Sequence, residues 1–109
     1  MIFNLFSSNR NTVKACDYSN VSKEFNTSAA QTESLKVSRD SWLVGTIYTS
    51  GVLNNEHTRI IVNGVTVAEA LATYGTSASG RTIINLFVKA GSNLSIHGAS
   101  DLKLYRCLA

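Results

Sequence analysis

Arg81–His97, RTIINLFVKAGSNLSIH, decides how this chain folds. Successive strand residues point to opposite faces, so one parity of Arg81–Lys89 carries Thr82, Ile84, Leu86 and Val88, an apolar row fit for the inside of a sandwich. The other parity carries Ile83, Asn85 and Phe87. A strand facing water would not present Ile83 and Phe87, and strands apolar on both faces belong where a second layer or another subunit covers the outside. Lys89-Ala90-Gly91-Ser92-Asn93 then supplies turn chemistry, with Gly91 free to take a positive φ. Leu94 and Ile96 resume the alternation, Ser95 and His97 facing the other way.

The same double-faced pattern recurs at Ser41-Trp42-Leu43-Val44-Gly45-Thr46-Ile47-Tyr48, where Trp42, Val44 and Tyr48 line one face and Leu43 and Ile47 the other. Gly45 in mid-strand marks a bulge or a close backbone approach. Arg59–Val62 and Val65–Ala68 flank Asn63-Gly64, the preferred pair for a two-residue type I′ hairpin turn. Val13–Phe25 holds the turn-prone Asp17-Tyr18-Ser19-Asn20 and then Val21, Lys23 and Phe25 on one parity. Asn26–Ser34 reads as loop, Leu35 and Val37 as a short strand, and Ser38-Arg39-Asp40 as a turn. Ala68–Tyr74 reads either as one helical turn or as a strand continuation, and Gly75–Gly80 as a loop. Asp101–Leu108 closes the chain as a strand. Seven to eight short strands with almost no helix and no proline are the pattern of an all-β sandwich or barrel.

At 109 residues this is one domain, small enough that association helps bury what folding leaves uncovered. Hydrophobic residues make up 44% and charged ones only 16%, so the surface is polar and weakly charged. The net charge of +3 comes from cations scattered from Arg10 to Arg106 with no block, which argues against nucleic acid as a partner. Met1–Phe6 is too short an apolar run for a membrane span, and with no basic residue ahead of it does not read as a signal peptide. It holds Ile2, Phe3, Leu5 and Phe6, followed by a polar run to Thr12. Two readings stand: a first strand laid on the domain's own sheet, or an apolar arm docked into a neighbouring protein.

No catalytic or metal-binding constellation stands out, and no cofactor is expected. His57 and His97 read as solvated rather than as ligands. Ser100, His97 and Asp101 lack the glycine pattern of a nucleophile elbow. Glu56 with Glu69, or Asp17 with Asp40, would need coordinates to qualify as a glycosidase pair. Trp42, Tyr48, Phe87 and Tyr105 read as packing or interface residues before glycan platforms. Asn85, between Ile83 and Phe87, is a candidate for a polar residue that fixes register in an assembly. Cys16 and Cys107, near opposite ends, allow either a terminal staple or two free buried thiols, and without a secretory signal the free thiols are expected. Three Asn-X-Ser triplets, at Asn20, Asn26 and Asn93, carry no weight for the same reason.

Cys16-Asp17-Tyr18-Ser19-Asn20-Val21, Trp42-Leu43-Val44-Gly45, Ile61-Val62-Asn63-Gly64, Leu86-Phe87-Val88-Lys89-Ala90-Gly91 and Leu102-Lys103-Leu104-Tyr105 occur in that order. Together they resemble the small trimeric jelly-roll domains of tailed-phage and prophage fibre and head-decoration proteins, relatives in architecture of tumour-necrosis-factor-like trimers. The resemblance spans about residue 12 to the C-terminus. It implies an antiparallel jelly-roll β-sandwich at residues 13–109, preceded by an arm and linker at residues 1–12. It also implies a non-enzymatic homotrimer on a virion surface, made in the host cytoplasm. Trp42, Tyr48, Ile83, Asn85 and Phe87 are then the expected trimer interface, and Ile2, Phe3, Leu5 and Phe6 the expected anchor to a capsid or fibre protein. The alternative is an adhesin at a tail-fibre tip, contacting host glycans through Asn54, Asn55, His57, Thr76 and Ser77.

Overall fold

The computed structural model of the chain describes residues 14–28, 30–49, 58–70 and 80–108. Among these lie eight strands and no helix: β1 (Cys16–Phe25), β2 (Thr32–Lys36), β3 (Ser41–Thr49), β4 (Thr58–Val62), β5 (Val65–Ala70), β6 (Gly80–Val88), β7 (Asn93–His97) and β8 (Ser100–Cys107). They form two antiparallel sheets of four, ordered β1-β8-β3-β6 and β2-β7-β4-β5. Only β4 and β5 are chain neighbours in one sheet; every other successive pair lies in opposite sheets. The fold is an all-β sandwich.

The alternation read from the sequence places the core. Leu43 and Ile47 of β3, Ile84 and Val88 of β6, and Leu102 and Leu104 of β8 turn inward from the first sheet. They meet Ile60, Ala70, Leu94 and Ile96 of the second sheet, with Phe25 and Val37 at the strand ends. Each such buried Val, Leu, Ile or Phe side chain contributes on the order of 2 kcal/mol over its exposed state.

Asn63-Gly64 forms the expected reversal, with φ of 51° and 81° and Val62 opposite Val65. Both central residues need positive φ in a type I′ turn, which Asn tolerates and Gly accepts freely. The Lys89–Ser92 turn does something different from a hairpin. Strands β6 and β7 lie in different sheets, so this turn carries the chain across the sandwich, braced where the Gly91 amide donates to Val37 O at 2.7 Å. Asp40 braces the same end: its carboxylate accepts from the Ala90 amide at 2.9 Å and pairs with Lys14 at 3.3 Å. The Ala90 amide first, and then Lys14, hold its carboxyl below the usual carboxylate range.

Three local readings, the Asp17–Asn20 turn, the parity of Val21 and the loop before Leu35, are corrected, and the alternative left open at Ala68 is resolved. Asp17–Asn20 is not a turn before a strand but part of β1, whose pairing with β8 slips between Cys16 and Val21 and again between Val21 and Lys23. The turn propensity survives as a local motif, the Asp17 carboxylate accepting from the Ser19 amide and hydroxyl at 3.1 and 2.6 Å. The slip also moves Val21 opposite Tyr105 and so off the parity of Lys23 and Phe25. Strand β2 begins at Thr32, inside the stretch read as loop, because its polar residues pair along β7 from Thr32–His97 to Lys36–Asn93. Ala68–Ala70 continues as strand rather than helix, opposite Ile60 to Thr58 of β4, while residues 71–74 lie outside the described part.

Gly45 marks a close approach. It faces Leu102 on β8 and Ile84 on β6, with φ of 146°, and a Cβ there would sit 2.1 Å from Asp101 O and 3.0 Å from Leu102 Cα. Backbone, not a movable side chain, blocks the space. Gly45→Ala is therefore expected to cost about 3 kcal/mol or more, read as a lower urea midpoint at unchanged m-value; a loss under about 0.5 kcal/mol would refute the close-packed β3–β8 contact.

Candidate functional site

The first sheet has an outer face that the second sheet does not cover. Residues directly opposite in a ladder share a face, so the pairings Phe87–Trp42, Trp42–Tyr105 and Tyr105–Val21 draw a row across all four strands. Its rings touch in two pairs. Trp42 meets Phe87 edge-on at 5.7 Å between centroids, and Tyr18 meets Tyr105 edge-on at 5.4 Å. Such geometry suits the ring quadrupoles and adds about 1 kcal/mol per pair beyond area burial. The indole N–H of Trp42 donates to Lys14 O at 2.6 Å, which fixes one end of the row against the segment leading into β1.

Toward the far end of β3, Val44 stands opposite Asn85 and Lys103, Thr46 opposite Ile83 and Asp101, and Tyr48 opposite Arg81. The Arg81 guanidinium lies over the Tyr48 ring at 5.6 Å. Ile83 is 79% exposed, Tyr18 65% and Val21 42%. The face also carries both signs of charge, Glu24 opposite Lys103 on β1 and β8 and Asp101 beside them. Of the expected interface residues, Trp42, Tyr48, Ile83, Asn85 and Phe87 all fall on this one face; Tyr18, in a stretch that reads as a turn, and Val21, shifted by the slip against β8, join it unforeseen. Val65 and Val67, exposed on edge strand β5, lie on the other sheet.

A second feature lies along the flank between edge strands β1 and β2. Lys23 pairs with Leu104, so its stem starts on the inner face, and its ammonium reaches Glu33 of β2 at 2.5 Å, closing the two sheets together. Beside this pair opens a cleft of about 400 Å³ over Leu35, Val37 and Leu104. Lys23, Arg39 and Arg106 line it with Ser22, Ser38 and Ser41; the Ser22 hydroxyl donates to Leu104 O at 3.0 Å and the Ser41 hydroxyl to Arg39 O at 2.7 Å. Arg106 is there because it faces Ser41, a 2% exposed residue, across the β3–β8 ladder; its register is a core register at the open end of the sandwich. The ion pairs among the described residues are Lys14–Asp40 and Lys23–Glu33, which leaves both guanidiniums unmatched by a carboxylate. Forked, planar and always charged, they fit an oxyanion with two coplanar oxygens. Sequence reading missed this cluster because its cations are far apart in the chain; the usable signal was Arg106 extending the apolar parity of Leu102 and Leu104.

The other candidates are dispersed. Ser100 is buried, its hydroxyl engaged by Thr27 at 2.6 Å and Phe25 O at 3.3 Å. His97 shares its Nδ1 with the Thr32 hydroxyl at 2.7 Å, and Asp101 faces out on the opposite side of β8 from Ser100. Asp17 and Asp40 are committed to separate partners. No group of three or more metal-binding side chains occurs among the described residues. Ile2, Phe3, Leu5 and Phe6, the loop residues Asn54, Asn55, His57, Thr76 and Ser77, and Glu56 lie outside the described residues. No protein-family model, curated protein or solved structure matches the chain.

Proposed function

We propose that this chain is a non-enzymatic structural subunit of the exterior of a tailed-phage particle, a capsid-decoration or head-fibre protein that works as a homotrimer of jelly rolls. The strand order supports the jelly-roll reading: β1-β8-β3-β6 over β2-β7-β4-β5, with all but one connection crossing between sheets, is the order that two interleaved Greek keys generate. The phage reading rests on the motif resemblance. The observation that carries assembly is the outer face left open by the described strands, where Ile83, Phe87, Trp42, Tyr105 and Tyr18 present one apolar band. A chain that keeps Ile83 79% exposed on such a band has an energetic reason to associate. Copies of the same face suit each other, since aromatic anchors occupy its middle and Glu24, Asp101, Lys103 and Arg81 offer both charges around them. Residues 1–12 then serve as the link to the particle.

Light scattering on the purified chain is expected to give three times the 11.8 kDa subunit mass. Ile83→Glu is expected to yield a monomer with unchanged circular dichroism and a stability within about 0.5 kcal/mol of the isolated subunit, because Ile83 makes little contact within its own chain. A wild-type monomer, or an Ile83→Glu chain that remains trimeric, would overturn assembly through this face. Removing residues 1–10 is expected to leave the trimer intact and abolish its co-sedimentation with phage particles; full co-sedimentation would exclude the arm as the anchor, and absence of the intact chain from particles would exclude the virion reading.

A second reading, host-glycan recognition at a fibre tip, is favoured by the cleft at the β1–β2 flank. Its two arginines, matched by no carboxylate among the described residues, suit an acidic saccharide over a neutral one. Calorimetric titration with a uronic-acid oligosaccharide is expected to show binding that a neutral oligosaccharide does not, weakened about tenfold or more by Arg106→Gln. Equal binding of both sugars, or no effect of Arg106→Gln, removes this reading.

A further inference from the structure

Cys16 and Cys107 are direct partners in the β1–β8 ladder. The surrounding hydrogen bonds define what kind of partners. The Leu108 amide donates to Ala15 O at 2.8 Å, so the bond between the two strands falls on the Ala15–Leu108 pair. The Cys107 amide points the other way, donating to Asp40 O at 3.0 Å. Bonded and non-bonded pairs alternate along an antiparallel ladder, which makes Cys16–Cys107 a non-hydrogen-bonded pair, the kind whose Cα atoms approach to about 4.5 Å with side chains closest. That spacing lies within the span of about 4.4–6.8 Å that disulfides bridge. Both thiols are free. Cys107 is buried and Cys16 half-buried, so a small reagent reaches the pair through Cys16.

We propose that Cys16 and Cys107 form a thiol–disulfide modification site, closing to an intrachain bond when the chain meets an oxidising, low-molecular-weight disulfide such as oxidised glutathione. The Cys16 thiolate attacks one sulfur of the reagent, whose S–S bond breaks and releases one glutathione thiolate. Cys107 then gives up its proton and attacks Cys16 Sγ in the mixed disulfide, expelling the second glutathione. Two protein thiols are oxidised, one reagent disulfide is reduced to two thiols, and the two protein protons end on those thiols. The bond closes nearly the whole folded chain into one ring and pins β1, the edge strand with a slipped register, to β8. Burial raises both thiols above the ordinary value, with Asp17 adding to the effect at Cys16, so closure is slow near neutral pH and quickens as the pH rises. The ladder register alone carries this site, whether or not the chain belongs to a virion.

The test uses the full chain, reduced and then moved into oxidised glutathione. Alkylation followed by mass spectrometry is expected to show both thiols protected and the unmodified mass lower by about 2 Da, with no glutathione retained. Thermal melting is expected to rise by on the order of 10 °C and to fall back on adding a reductant. Cys107→Ser is expected to keep glutathione on Cys16, trapping the first step, and Cys16→Ser to show no shift in melting. Closure is expected to speed up about tenfold per pH unit while the thiols remain mostly protonated. Thiols that stay open to alkylation, disulfides formed only between chains, or an intrachain bond that leaves melting unchanged would each overturn the proposal.

Discussion

Strand β3 carries apolar side chains on both of its faces and is hydrogen-bonded along both of its edges, and the rest of the first sheet is arranged around it. Its neighbours β8 and β6 take up the backbone groups on either side, residue for residue from Ser41 to Ile47. Inward, Leu43 and Ile47 join the core with no exposure at all. Outward, Trp42, Val44 and Tyr48 lie beside the side chains of adjacent strands, and the Trp42 indole reaches Lys14 O. Gly45 is where the two demands meet, since the backbone of β8 comes so near that no side chain fits. Replacing it with any L residue forces a choice between the β8 ladder and the inner packing.

The two flanks of the sandwich are closed by polar contacts rather than by core side chains. On the β1–β2 side this is the Lys23–Glu33 pair, reinforced where Lys23 passes over the Phe25 ring at 5.7 Å. On the opposite side the Thr82 hydroxyl donates to Glu69 O at 3.1 Å. Near the surface an ion pair or a neutral hydrogen bond of this kind is worth about 1 kcal/mol, too little to drive sheet packing yet enough to favour one mutual setting of the sheets. The same geometry leaves Arg106 with a core register but no core around it. A long cation there buries its stem over Leu104 and keeps its head wet, which is how a structural end position comes to face an open cleft.

Much of this was legible in the residues. Parity alone assigned β3 and β6 their inner and outer faces, and Asn63-Gly64 fixed the hairpin, because side-chain alternation and positive φ are local properties. What escaped depends on partners distant in the chain. The slip in β1 cannot be seen from Cys16–Phe25 by itself; it exists only against β8, and it decides that Val21 joins the outer face. Strand β2 has polar residues throughout its first half and is a strand because β7 accepts it, down to the paired hydroxyls of Ser34 and Ser95. The cleft and the cysteine pair are likewise products of strand order, which brings the beginning and end of the chain side by side.

That adjacency also settles where the chain enters the fold. Lys14 and Ala15 are held by four independent contacts: the Trp42 indole on Lys14 O, the Leu108 amide on Ala15 O, the Cys107 thiol 3.8 Å from Lys14 O, and the Lys14 ammonium on Asp40. Each ties the entry segment to β3, β8 or the approach to β3, and the strongest geometry comes from the aromatic row itself. A partner that covers this row therefore works beside the point from which residues 1–13 depart. On the proposed reading, anchoring by the arm and association through the face share one end of the sheet, and loosening Lys14 would be felt by both.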